Sequence, residues 1–322
     1  MRDLACFGES SVQIADASSS SSSAAAAAGG GGRGKGGVRG AAARSRVTCV
    51  YHARLASRAC AVSVTWARAG GLVAGRRGAA LRVVAADRAS GERLCTARVR
   101  PWLFAGRRGS RTLDVAGGGG GRVAVFWDLS GARFGAGPEP LGGFYVAVVC
   151  GGEMALLLGD MPTEAFRRTG AGGRPAAGDA VLVARTEHVV GSKVFAATAQ
   201  LCGGGRRHDV AIECDTAVAG DDDPCLEIRV DGRPAVRVKR LPWKFRGNQT
   251  VLVDGMPVEV FWDVHGWLFG GGGGAMAGNA VFMFQTCQAR EKPVPWAYSQ
   301  IFGEPQLQGQ DFSLIIHAWK VE

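Results

Sequence analysis

The chain has 322 residues, of which 47% are hydrophobic, and it carries a formal net charge of +10. This length and composition suit one large domain or about two ordinary ones with a sizeable core, and the positive charge favours acidic partners. No apolar run approaches the roughly 18 residues that a bilayer-spanning helix requires, so we predict no transmembrane segment.

The cysteines and the N-terminus bear on the cellular compartment. Nine cysteines lie at least 11 residues apart, without a Cys-x-x-Cys pair, and no secretory signal precedes them, which predicts reduced thiols in an intracellular protein. The Ser-, Ala- and Gly-rich start has the composition of a plastid transit peptide, but Asp3, Glu9 and Asp16 are atypical of one. We therefore expect the cytoplasm or nucleus rather than the plastid.

Residues 1–46 consist largely of Ser, Ala and Gly tracts, which cannot bury enough apolar surface to offset chain entropy. We predict a disordered tail here. From Val47 onward, short β-branched runs alternate with Gly, Asp and Arg clusters, as in antiparallel β domains. The first strands are predicted at Val47–Leu55, Ala61–Trp66, Leu81–Ala86, Leu94–Val99, Arg111–Val115 and Val123–Trp127.

The clearest hairpin of the chain joins Phe144–Cys150 to Glu153–Leu158. The two residues between them, Gly151 and Gly152, tolerate the positive φ angles of a two-residue turn. Both arms are apolar almost throughout, which predicts a strand pair that is buried on both faces.

Asp160–Thr169 is the only helical pattern, with Asp160 near the N-cap and a stop at Gly170. The Pro-, Gly- and Ala-rich run Ala171–Gly178 predicts a linker, so we expect β units at 47–172 and 173–322. The second unit repeats the strand order of the first. Its strands are predicted at Val194–Leu201, Val210–Cys214, Leu226–Val230, Ala235–Val238, Asn248–Val253, Val258–Trp262, Val281–Cys287 and Phe312–Trp319.

Two stretches of the chain repeat almost the same pattern. Pro-Trp-x-Phe begins at Pro101 and again at Pro242, and Val-x-Val-Phe-Trp-Asp begins at Val123 and again at Val258. This order predicts an all-β body of two tandem, internally repeated antiparallel β units, either sandwich-like or barrel-like. We expect Trp102 to superpose on Trp243 and Trp127 on Trp262. The repeat residues are Trp102, Trp127, Asp128, Trp243, Trp262 and Asp263.

Eight short motifs in the body carry a family resemblance. They are Val47–Tyr51, Arg100–Phe104, Phe126–Ser130, Gly137–Pro140, Gly143–Val149, Leu157–Asp160, Trp243–Thr250 and Phe261–His265. Together they resemble the plant family known as domain of unknown function 868, from about Val47 to the C-terminus. The resemblance implies a plant source, but no activity, cofactor or catalytic residue.

No group of residues stands out as a reactive site. The five histidines never fall at metal-ligand spacing, and no Gly-x-Ser-x-Gly elbow is present. We therefore predict no metal and no cofactor, and the catalytic residues, if the chain is an enzyme, stay unknown. Asp128 and Asp263 each precede a Gly-containing turn, where Asp commonly caps the backbone, and we interpret them as turn caps. Trp127 and Trp262 are predicted to be core residues.

Two spans rich in arginine and lysine flank the repeated Trp-x-Phe loops, and neither span contains an acidic residue. Because side chains alternate along a strand, several of these cations should point away from the apolar face. Two equivalent basic patches would suit anionic lipid headgroups, nucleic acid or an acidic protein. The candidate anion-binding residues are Arg98, Arg100, Arg107, Arg108, Arg111, Arg237, Lys239, Arg240, Lys244 and Arg246.

Our leading functional hypothesis is a noncatalytic β-rich binding module with basic patches for an anionic partner. Two alternatives stay open at this point. One is a carrier of a lipid or small ligand, since antiparallel β folds can enclose apolar cavities. The other is an enzyme with dispersed catalytic residues, which a pocket lined by converging polar groups would favour.

Overall fold

The structure is a computed structural model that describes residues 43–55, 58–68, 79–100, 106–115, 121–171, 180–191, 194–201, 206–215, 224–269, 278–286 and 312–320. All of these belong to one compact unit, 40–322. The predicted disordered tail lies outside the described residues except for its last four. These four belong to the first strand, which begins at Ala43 rather than Val47 and is extended by the pairing of Ala43 with Val190 and of Arg44 with Val189.

The described residues are predominantly β strand, with two short helices, and each predicted strand overlaps an observed one. Neither described helix is long and apolar enough to cross a membrane. The strands of the first half are β1 (Ala43–Leu55), β2 (Arg58–Arg68), β3 (Ala79–Asp87), β4 (Arg93–Val99), β5 (Arg108–Asp114), β6 (Arg122–Asp128), β7 (Arg133–Phe134), β8 (Pro140–Gly142), β9 (Tyr145–Cys150) and β10 (Glu153–Gly159). Those that follow are β11 (Val181–Gly191), β12 (Val194–Ala199), β13 (His208–Asp215), β14 (Cys225–Val230), β15 (Arg233–Val238), β16 (Arg246–Val253), β17 (Met256–Asp263), β18 (Asn279–Thr286) and β19 (Ser313–Lys320).

These strands form four sheets, and none of the described sheets closes on itself. The largest has nine strands in the order β16-β17-β18-β19-β11-β1-β2-β3-β4. Two sheets of four strands follow the orders β10-β9-β6-β5 and β12-β13-β14-β15, and β7 pairs with β8. All neighbouring strands are antiparallel except β11 and β19, which are parallel.

The nine-stranded sheet carries two hydrophobic cores on one of its faces. Its register places Val47, Glu187 and Ile316 side by side on β1, β11 and β19, and paired residues project from the same face. One core lies between β1–β4 and the sheet β10-β9-β6-β5, around the buried Trp66. The other lies between β16–β19 and the sheet β12-β13-β14-β15, around Phe282. The described residues therefore form two sandwich-like units, and the nine-stranded sheet supplies one layer of each.

Strand β11 corrects the prediction for the middle of the chain, where we assigned no strand between Gly178 and Val194. It lies between β1 and β19 and joins the strands of the two halves into one sheet. The alternation of apolar and polar residues that predicts a strand is interrupted here, because Arg185 and Glu187 occupy its inner face. Most of the predicted linker, Ala171–Gly178, lies outside the described residues.

The predicted hairpin and helix are both present. Gly151 and Gly152 have φ angles of 60° and 81°, and every residue of β9 is buried, as predicted. In β10 only Met154, Ala155 and Leu156 are buried, so the prediction that both arms are buried throughout is correct for β9 alone. Helix α1 spans Pro162–Thr169 and ends at Gly170, which has the left-handed φ of 61°. Its only fully buried residue, Ala165, packs against the sheet β10-β9-β6-β5.

Two details of the helices differ from the prediction. Asp160 does not cap α1, since the N-cap position is Met161, which makes no side-chain cap. The Asp160 carboxylate instead accepts hydrogen bonds from the backbone amides of Gly143 and Phe144. A second helix, α2 (His265–Phe269), was not predicted, because five residues after a turn give no helical periodicity.

Candidate anion-binding edges

The repeated segment of the first half places a buried carboxylate at the end of β6. Asp128 is 1% exposed, and it accepts hydrogen bonds from the Arg108 Nε at 2.7 Å and from the Ser130 amide at 2.9 Å. The neighbouring Trp127 is buried and donates from its Nε1 to the Gly106 carbonyl at 2.8 Å. We call this set of contacts the Arg–Asp–Trp lock.

The second half contains the same lock at the end of β17. Asp263 is 7% exposed and accepts hydrogen bonds from the Arg246 Nε at 2.8 Å and from the His265 amide at 3.0 Å. The buried Trp262 donates from its Nε1 to the Lys244 carbonyl at 3.0 Å. Both aspartates thus accept from an amide two residues on, as a turn cap does, and both tryptophans are core residues as predicted.

A glycine completes each lock, because the face of the indole lies against the backbone of the neighbouring strand. A Cβ added at Gly109 would lie 2.8 Å from the Trp127 ring, and one at Gly247 would lie 2.4 Å from the Trp262 ring. Neither distance is compatible with a side chain unless the indole moves. Each lock therefore depends on four residue types at once, a glycine, a tryptophan, an arginine and an aspartate, and both copies of the repeat supply all four.

The charge of Asp128 is stabilised by its hydrogen bonds. Burial on its own would raise its pKa, but the Ser130 hydroxyl and amide and the Arg108 guanidinium outweigh burial, and the pKa is lowered. A carboxylate held in this state is suited to fixing a turn and a cation rather than to exchanging protons.

The ten candidate cations fall into two groups, one along β4, β5 and the segment between them, and the other along β15, β16 and the loop between them. Strands β4 and β16 are the two terminal strands of the nine-stranded sheet, and β5 and β15 are terminal strands of the two four-stranded sheets. We call the first group the Arg100 edge and the second the Trp243 edge. Eight strand spacings of about 4.8 Å separate these edges, or roughly 38 Å along the sheet. The Arg100 edge contains Arg98, Arg100, Arg107, Arg108 and Arg111, and the Trp243 edge contains Arg237, Lys239, Arg240, Lys244 and Arg246.

Most of these cations are exposed and unpaired within the described part of the chain. Arg98 and Arg237 project away from Val99 and Val238, which are buried, as strand alternation predicts. Only Arg108 and Arg246 lie within 4.0 Å of a described carboxylate, because each belongs to a lock. The other eight have no such partner among the described residues. Arg108 and Arg246 are therefore structural residues first, and the remaining eight supply the charge at the edges.

The loop from β15 to β16 presents an exposed tryptophan. Trp243 is 87% exposed, whereas Leu241, two residues earlier, is fully buried and anchors the loop. Arg240 and Lys244, which precede and follow Trp243 in the chain, are exposed as well. Its predicted counterpart in the first half, Trp102, lies outside the described residues, so the superposition of the two stays a prediction.

A small polar cleft adjoins this loop. It has a volume of about 220 Å³, and its lining includes Arg246, Asp263, His265 and Asn279. The His265 ring also contacts Phe269, at 5.0 Å between ring centroids. The cleft is smaller than the roughly 300–1,000 Å³ of most ligand pockets.

A family model described as plant protein of unknown function (DUF868) matches residues 42–320. The chain belongs to this family. Neither the curated proteins nor the solved structures gave a match. The family description assigns no activity to this DUF868 protein.

A buried ionic cluster that we did not predict lies where β11 meets β1. Glu187 is fully buried, and its carboxylate lies 2.7 Å from the Arg185 Nε and 2.7 Å from the Arg44 Nε. The contact with Arg44 is a charge pair that lacks hydrogen-bond alignment. Arg185 also donates to the Glu139 carboxylate at 2.7 Å and to the Cys49 sulfur at 3.3 Å. This cluster ties the joining strand to the first half.

A second unpredicted cluster surrounds His208, which is fully buried at the start of β13. Its Nδ1 lies 2.9 Å from an Asp231 oxygen and its Nε2 lies 3.3 Å from an Asp254 oxygen. Both aspartates sit in Asp-Gly hairpin turns with positive φ. The exposed Arg206 contacts both carboxylates and holds the pKa of Asp254 below its usual value. The cluster links the β14–β15 turn to the β16–β17 turn.

Four of the described thiols are poorly suited to nucleophilic chemistry. Burial raises the pKa of Cys49 to about 11, and it also raises those of Cys60, Cys95 and Cys150. These thiols are therefore protonated near neutral pH, whereas the thiolate is the reactive form. No three His, Cys, Asp or Glu side chains in the described ranges are arranged to hold a metal ion.

Proposed function

We propose that this DUF868 protein is a noncatalytic binding module whose basic edges hold a phosphate-bearing, anionic partner. The observation that carries the proposal is Trp243, which is 87% exposed between two exposed cations, Arg240 and Lys244. Tryptophan is enriched at interaction surfaces because it joins a large apolar ring to a polar N–H, and cations attract phosphate from a distance. Together they supply both attraction and contact area.

The proposal includes a tandem duplication, in which the two halves are copies of one plan. It is supported by the two Arg–Asp–Trp locks, which agree in donor, acceptor and glycine. It is also supported by strand order, because each half has an antiparallel row of four strands, β1–β4 or β12–β15, followed by a second row of four. On this view the Arg100 edge and the Trp243 edge are equivalent surfaces with equivalent partners.

Several features favour binding over catalysis. The two buried aspartates accept hydrogen bonds from the arginines of their locks, and the described thiols with raised pKa values are protonated. The polar cleft at the Trp243 edge is too small for most substrates. What the edges offer is cations without described carboxylate partners, which suits recognition of negative charge rather than bond breaking.

The test is retention of the full chain on anionic lipid vesicles and on single-stranded RNA across a salt series. The variant is the double charge reversal Arg107→Glu with Lys244→Glu, which changes one residue at each edge and leaves both locks intact. The matched control is Arg54→Glu with Arg168→Glu, two exposed arginines outside both edges. We expect the parent and control to bind at low salt and the edge variant to bind more weakly, with a smaller salt slope by about one for each lost phosphate contact. A parent that binds neither support, or an edge variant that binds like the control, would overturn the proposal.

A further inference from the structure

We propose, building on the proposed function, that the Trp243 edge docks on the surface of an anionic lipid membrane. The indole of Trp243 enters the headgroup region, and Lys239, Arg240 and Lys244 lie against the lipid phosphates. The proposal goes beyond a general affinity for anions, because it selects one class of partner and one residue that inserts into it.

The loop holds the indole outward on a fixed backbone. The Trp243 amide donates to the Arg240 carbonyl at 3.0 Å, and the Lys244 amide donates to the Leu241 carbonyl at 3.0 Å. The Leu241 amide in turn donates to the Pro224 carbonyl at 3.1 Å, so the start of the loop is tied to the segment before β14. Because the turn is formed before contact, docking orders little additional backbone.

The far side of the loop is fixed by the lock. The Lys244 carbonyl accepts the Trp262 indole N–H, and the Phe245 carbonyl accepts the Val264 amide at 2.9 Å. The exposed Trp243 is therefore followed in the chain by Lys244, whose carbonyl is held by the buried Trp262. Because the loop backbone is hydrogen-bonded on both sides, the fold itself sets the 87% exposure of the indole.

The aromatic composition of this edge favours lipid over nucleic acid. Trp prefers the membrane interface, where its ring is apolar and its N–H stays hydrated. A second exposed ring, Phe269, is 52% exposed and packs edge-on against Phe245, with 5.7 Å between centroids. Binding of a single strand of nucleic acid uses rings spaced along a basic groove so that successive bases stack. The other large exposed apolar residues in the described part of the chain are aliphatic and lie outside the β15–β16 loop: Leu141, Val194, Leu252 and Met256.

The charges give an expected size for the effect. A basic residue at an anionic surface strengthens partitioning by roughly fivefold. Lys239, Arg240 and Lys244 have no described carboxylate within 4.0 Å, whereas Arg246 shares its charge with Asp263. Neutralising the first three should therefore weaken binding by roughly 100-fold. Removing the indole should cost at least about tenfold, since a large side chain then loses its buried area.

The experiment measures co-sedimentation of the full chain with two kinds of vesicle, phosphatidylcholine alone and one part phosphatidylserine to three parts phosphatidylcholine. The variants are Trp243→Ala and the triple change of Lys239, Arg240 and Lys244 to Gln. Leu252→Ala, at a residue that is 74% exposed on the same sheet, is the control for loss of an exposed apolar side chain. Equal urea midpoints for the parent and all variants establish that each is folded. Brominated lipid should quench fluorescence in the parent and in Leu252→Ala, but less in Trp243→Ala.

The expected result is binding of the parent to the anionic vesicles alone, with the losses given above for the two edge variants and none for the control. Trp243→Ala that sediments like the parent would overturn the docking surface. A parent that binds single-stranded RNA but no vesicle would overturn the lipid assignment and leave the proposed function standing. A parent that binds neither would overturn both.

Discussion

Replacing Glu187 with Ala tests whether the ionic cluster that ties β11 to the first half is needed for stability. The carboxylate is fully buried and lies 2.7 Å from both Arg185 and Arg44. Removing it leaves two cations without their central partner, a change that costs about 3–5 kcal/mol in buried ion pairs. Arg185 keeps its contact with Glu139, and the Arg44 side chain is 27% exposed and can reach water. We therefore expect the low end of that range, about 3 kcal/mol.

Urea unfolding followed by tryptophan fluorescence measures this loss directly. In a thermal scan the same loss should lower Tm by roughly 6–12 °C, at about 2–4 °C per kcal/mol for a domain of this size. Glu187→Gln keeps the shape and one acceptor, and it should fall between the parent and Glu187→Ala. Glu92→Ala, at an exposed position, should change stability by no more than about 0.5 kcal/mol. A loss below about 1 kcal/mol for Glu187→Ala would refute the claim that the cluster is needed for stability.

Three further changes test the lock and the Asp160 turn. Gly247→Ala should destabilise the protein by about 1–3 kcal/mol in urea unfolding, because the new Cβ would lie 2.4 Å from the Trp262 ring. Gly109→Ala, with 2.8 Å to its indole, should cost less, and the reverse order would contradict the packing argument. Hydrogen bonds from the Gly143 and Phe144 amides lower the pKa of Asp160, so its stabilising effect is present above the unfolded pKa and is lost as pH falls through the folded one. In Asp160→Asn, the free energy of unfolding should therefore fall less steeply as the pH drops below about 4. If it falls as steeply as in the parent, Asp160 does not contribute to the loss of stability in acid.

The strands of both halves could be predicted because their alternation is regular. Val258, Val260 and Trp262 all face the second core, as a period of two requires. The same logic failed for β11, whose inner face carries Arg185 and Glu187. Charged residues at alternate positions indicate a solvated face. Arg185 and Glu187 can be buried here because they form ion pairs with each other and with residues distant in sequence.

The candidate site was predictable in its charge but not in its geometry. The basic spans are visible in the sequence and Trp262 is predicted to be a core residue, yet the sequence does not show how far Trp243, which is 87% exposed, differs from it. That difference depends on the lock, in which the Trp262 indole donates to a loop carbonyl. The burial of His208 was equally hidden, because it requires Asp231 and Asp254, from two separate hairpin turns, to meet around one ring.

The lock separates the residues that build each edge from those that are available to a partner. Arg246 has the same charge as Lys244, but its hydrogen bond to Asp263 holds it against the end of β17. The next residues outward, Lys244 and Arg240, have no described carboxylate within 4.0 Å and flank the exposed Trp243. A binding surface of this kind costs the fold little, because the buried Asp and Trp stabilise the loop whether or not a partner is present. Variants of the lock should therefore alter stability first, and variants of the outer cations and of Trp243 should alter binding alone.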